Sequence, residues 1–111
     1  MQNGIYRYCL EMAAPLGKRF GSLSLVIQEN HVGGELTLLA GTFPVTEGCR
    51  TGNRLRFTGE MKTLVNRIPY MAEGTVNTDC SRIDLVFFTQ RDAYPAVGRR
   101  ESIAPEEPAC T

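Results

Sequence analysis

Tryptophan is absent from this 111-residue chain, histidine occurs once, and acids and bases cancel at 12 each. The zero net charge argues against a nucleic-acid binder, whose surface carries excess cations to neutralise phosphates. It gives no reason to expect a membrane surface or a polyanion as partner. No stretch approaches the roughly 20 apolar residues that span a bilayer. The opening MQNGIYRYCL lacks a basic head followed by an apolar run, so the cytoplasm is the expected location. Apolar residues at three- and four-residue spacing, the mark of a helix, are missing throughout.

Recognisable chemistry is sparse as well. Cys9, Cys49, Cys80 and Cys110 lie far apart, so the close pairs of zinc and redox sites do not occur. Without a secretory leader the thiols are expected to be free. His31 reads as part of a polar turn, Glu29-Asn30-His31, and the sequence places it beside none of the cysteines. Patterns such as HExxH, G-x-S-x-G or a P-loop are missing. Glu60, Glu73 and Asp84 alternate onto polar strand faces, whereas a catalytic carboxylate needs an apolar pocket to shift its pKa. The sequence therefore nominates no catalytic residue, no metal ligand and no cofactor.

Alternation of period two is what the chain has in abundance. In Arg54–Val76, Leu55, Phe57, Gly59 and Met61 alternate with charged and polar residues, and Ile68, Tyr70, Ala72, Gly74 and Val76 do so on the return. That pattern puts one set of side chains in a core and the other in water. Further strands are expected at Ile5–Met12, Phe20–Gln28, Val32–Leu39, Thr42–Arg50, Arg82–Gln90 and Tyr94–Arg99. Ala13–Arg19, with Pro15 and Gly17, reads as a loosened connection, Thr51-Gly52-Asn53 as a tight turn, and Val65-Asn66 as a bend. Strand seven is apolar on both faces, with Ile83, Leu85 and Phe87 on one and Val86 and Phe88 on the other. Residues 1–101 read as one domain, and 102–111, SIAPEEPACT, as a disordered tail.

Eight short strands joined by short turns are too close for parallel crossovers. The fold class is all-β: an eight-stranded antiparallel up-and-down meander closing as a small barrel, with a flattened β-sandwich as the alternative. Interior glycines recur at Gly21, Gly33 or Gly34, Gly48, Gly59, Gly74 and Gly98, where barrel corners need them. The succession Ala14-Pro15-Leu16-Gly17, Gly21-Ser22-Leu23-Ser24-Leu25, Gly34-Glu35-Leu36 and Gly52-Asn53-Arg54-Leu55-Arg56-Phe57-Thr58-Gly59 resembles small bacterial calycin-like, lipocalin-like barrels. Ile68–Gly74 and Tyr94–Gly98 fit the same scheme, so the likeness spans residues 5–99.

Two functions follow as expectations, with an enzyme carrying an unrecognised site as a more remote third. One is a binding barrel carrying a small apolar ligand, with Tyr8, Leu25, Leu38, Phe57, Tyr70, Leu85 and Phe87 lining its interior. The other is a homodimerising protein with a filled core, docking through Val86, Phe88 and Met71.

Overall fold

The computed structural model describes residues 2–14, 17–38, 41–62 and 67–101. The strands are β1 (Gly4–Ala14), β2 (Gly17–Gln28), β3 (His31–Leu38), β4 (Gly41–Thr51), β5 (Arg54–Lys62), β6 (Arg67–Val76), β7 (Arg82–Phe88) and β8 (Ala93–Arg100). Each pairs with its sequence neighbours, and β1 pairs with β8, so the meander closes into a barrel. Closure rules out the flattened sandwich and removes the exposed sheet edges that invite aggregation. The turn at Pro15, the bend at Val65-Asn66 and the tail 102–111 lie outside the described residues.

Two local expectations change. Pairing of β1 with β2 runs out to Ala14↔Gly17, so the Ala13–Arg19 connection is mostly strand. His31 pairs with Gln28 as the first residue of β3 rather than lying in the turn. That turn is Glu29-Asn30, with Glu29 at a φ of 56°. Its ends are tied down, because the Glu29 N–H donates to Asn3 Oδ1 and the Glu29 carbonyl accepts from Arg50 Nε.

Prolines inside a closed barrel need an explanation, since each removes a ladder donor. Pro44, Pro69 and Pro95 all sit where a strand is paired on one side only. Pro44 faces Glu35 of β3, while the β4–β5 ladder starts at Val45. Pro69 faces Glu60 of β5, while the β6–β7 ladder starts at Met71. Pro95 faces Val86 of β7, while the β1–β8 ladder stops at Ala96. Staggered strand ends supply the edges that closure otherwise abolishes.

The inward residues form one core. Tyr8, Leu23, Leu36, Ile83, Phe57 and Phe87 have no exposed surface. Glycines lie among the inward positions. At Gly74 a side chain would run into the Asp84 carbonyl oxygen, and at Gly34, with φ 127°, into that of Ser24. These are close approaches of neighbouring backbones at barrel corners, and the choice between Gly33 and Gly34 falls on Gly34, since Gly33 has nothing near it.

Candidate functional site

The expected ligand-lining residues lie in the interior and belong to one packed cluster. Tyr8, Leu25, Phe57, Tyr70, Leu85 and Phe87 are buried, and Leu38 is partly buried against the same cluster. Phe57, Tyr70 and Phe87 interlock, with ring centroids 6.3, 6.1 and 5.3 Å apart in edge-on and tilted arrangements. Such geometry suits the ring quadrupoles.

The two tyrosines have different fates. Tyr8 lies at the barrel end covered by the Asn77–Ser81 turn, and its hydroxyl donates to the Cys80 carbonyl at 2.9 Å. The turn is itself fastened, with Asn77 Oδ1 accepting from the Arg82 N–H and Asp79 Oδ1 from the Ser81 N–H. Burial raises the Tyr8 phenol to about 12, helped by the Cys80 thiol and opposed by Arg100. Tyr70 lies toward the opposite end, where its hydroxyl is buried with no hydrogen-bond partner among the described residues. It rests on Gly59, where an added methyl would come within 2.6 Å of the phenol oxygen. Burial alone raises Tyr70 to about 12.

Outside the barrel, the expected interface residues come together. Met71 pairs with Phe88, which pairs with Ala93, and the next row along holds Glu73, Val86 and Pro95. All but Glu73 are apolar, on an outward face where Phe88 is 37% exposed. The rim carries both signs, through the Arg56–Glu73 pair at 3.5 Å and the Arg82–Asp84 pair at 3.0 Å.

A second outward constellation escaped the sequence reading. His31 pairs with Cys49 across β3 and β4, Cys49 with Arg56 across β4 and β5, and Arg56 with Glu73 across β5 and β6. Directly opposed residues share a face, with Cβ atoms roughly 5 Å apart. Cys49 is an exposed free thiol and Cys80 a buried one. The expectation that every thiol is free fails at Cys9, which is disulfide-bonded.

Two depressions among the described residues are open to solvent on the exterior. One, of about 590 Å³, is lined by Cys49, Arg50, Arg54, Arg56, Glu73 and Val86 among others. The second, of about 520 Å³, adjoins His31 and Gly48. Among the described residues no group of three or more His, Cys, Asp or Glu side chains is placed to hold a metal. No helix there is long and apolar enough to cross a membrane. No protein-family model and no curated protein matches the sequence.

Proposed function

We propose that this protein is a non-catalytic interaction module that pairs with a second copy of itself through the outer face of β6, β7 and β8. One observation carries the reading. The residues nominated to hold a ligand pack against one another in the core, while Met71, Val86 and Phe88 present apolar atoms outward. A two-fold dimer needs a self-complementary surface. An apolar centre with both charge signs at its rim has that property, and a chain of zero net charge sets no long-range repulsion between copies. Kinship with calycin-like barrels belongs to the same proposal and is supported by the closed eight-stranded meander. No nucleic-acid or membrane role is part of it. For location, the free thiols of Cys49 and Cys80 support the cytoplasm, and the Cys9 disulfide supports an oxidising compartment instead. Fractionation of the native source separates the two.

Sedimentation velocity of the full chain at tens of micromolar tests the dimer. A dimer that dissociates in Phe88→Glu is the expected result. A wild-type monomer overturns the proposal.

The second reading is a small apolar ligand entering where Leu38, Met61 and Tyr94 remain partly buried. The observation favouring it is the unpartnered Tyr70 hydroxyl, a donor that a ligand oxygen could satisfy. Native mass spectrometry of gently purified protein should then show an adduct that Tyr70→Phe loses, and an unadorned mass speaks for the filled core.

A further inference from the structure

Cys49 owes its exposure to a fault in the ladders. From Phe43 and Val45, which face inward, strict alternation would point Cys49 into the core and leave Gly48 outside. Instead the β4–β5 register slips between Val45↔Gly59 and Glu47↔Thr58, and the β3–β4 register slips between Glu35↔Pro44 and His31↔Cys49. One extra residue of β4 accounts for both. Past it, Gly48 faces Phe57 and Val32 inside, and Cys49 turns out. Bulges of this kind re-aim a side chain.

The slip also chooses the neighbours of the thiol. Continuing the Glu35↔Pro44 register would set His31 opposite Gly48. The bulge sets His31 opposite Cys49 and leaves Arg56 on the other flank. The depression beside Cys49 is lined by Arg50, Arg54 and Arg56 together with the single acid Glu73. Glu73 pairs with Arg56 and Arg50 is engaged by the Glu29 and Gly52 carbonyls. Arg54 makes no ion pair among the described residues.

We infer that Cys49 is a site of S-thiolation by small disulfides bearing carboxylates. The carboxylates fit the arginine-lined depression, and the reacting sulfur meets the thiol at its edge. In the reaction the Cys49 thiol passes its proton to the His31 imidazole, and the thiolate attacks one sulfur of R–S–S–R. The S–S bond breaks, the Cys49–S–S–R bond forms, and the departing thiolate takes the proton back as R–SH. Thiol plus disulfide becomes mixed disulfide plus thiol, with no further oxidant. Attack depends on the thiolate and on access; the bulge gives Cys49 its outward exposure and sets it between His31 and Arg56 in the ladders.

The test is a charge series. Rates of Cys49 modification in the folded full chain are measured with the anionic disulfide dithiobis(nitrobenzoate), uncharged dithiodipyridine and cationic cystamine. Each is divided by the rate for the uncharged thiol N-acetylcysteine amide, and tryptic mapping assigns the site. The anionic probe should exceed the cationic one by roughly tenfold after normalisation, the scale of local electrostatic focusing. Arg54→Gln should erase most of that preference, and His31→Gln should slow all three probes several-fold. Both positions face outward, and circular dichroism verifies that the variants fold. Equal normalised rates across the series, or a Cys49 no faster than the model thiol, overturn the inference.

Discussion

At the scale of single residues Tyr8 and Tyr70, two of the three core tyrosines, make a matched pair. Both are buried phenols, but among the described residues only Tyr8 has a hydrogen-bond partner, the Cys80 carbonyl. A net hydrogen bond contributes about 1 kcal/mol, and a carbonyl left unsatisfied in a core costs about 1–3 kcal/mol. Tyr8→Phe should therefore destabilise by about 1–2 kcal/mol in urea unfolding. Tyr70→Phe removes a hydroxyl that already lacks a partner while keeping the ring against Phe57 and Phe87, so stability should hold or rise by about 1 kcal/mol. Equal losses in the two variants would mean that the Tyr70 hydroxyl has a partner in solution. Glu29 offers a second prediction. Its φ of 56° costs an L-residue about 1 kcal/mol, which asparagine tolerates better. Glu29→Asn keeps both backbone hydrogen bonds of the turn and should raise the urea midpoint, by about 0.5 kcal/mol in stability. A lowered midpoint would assign the Glu29 side chain a role that its exposure gives no sign of.

Among the elements, β6 and β7 approach each other closely at Gly74. A methyl there meets the Asp84 carbonyl oxygen and lies 2.8 Å from Leu85 Cα, both backbone atoms that cannot rotate away. Gly74→Ala should cost about 3 kcal/mol, the upper range for overpacking, and thermal unfolding should show it. Gly33→Ala, with open space around it, should be neutral within about 0.5 kcal/mol, so the pair separates a corner from a mere strand glycine. Strand positions, inward faces and corner glycines were legible because a barrel writes them as period-two alternation with local turns. The interior of β7 could be read from Ile83, Leu85 and Phe87, and the outward Val86 and Phe88 from the gaps between them. The His31–Cys49–Arg56 row could not. A single bulged residue in β4 inverts the alternation from Glu47 onward, and nothing in FPVTEGC separates a bulge from a weak strand. The packing of Gly48 against Val32 and Phe57 is non-local, so it has no trace along the chain. The Tyr70 hydroxyl was equally hidden, since whether a phenol finds a partner depends on which backbone passes its tip.

The whole barrel responds to alkali as one object. Tyr8 lies toward one end of the closed core and Tyr70 toward the other, and burial resists the ionisation of both. Both phenols sit at about 12 in the folded protein against an ordinary 10.0, chiefly because burial penalises the phenolate. Tyr94 is raised as well, through desolvation and its hydrogen bond with Asp92. A raised folded-state pKa means that the unfolded chain loses these protons first. The stabilisation is complete below pH 10 and is lost as pH rises from 10 toward 12. Over that window the stability should fall by about 1.4 kcal/mol per pH unit for each of Tyr8 and Tyr70. Urea midpoints measured in steps across the window should decline steeply, and phenolate absorbance should appear together with the loss of strand signal. Tyr70→Phe should flatten the decline by one phenol's share. A slope unchanged in that variant, or phenolate absorbance from the core tyrosines well before unfolding, would mean that water reaches the barrel interior.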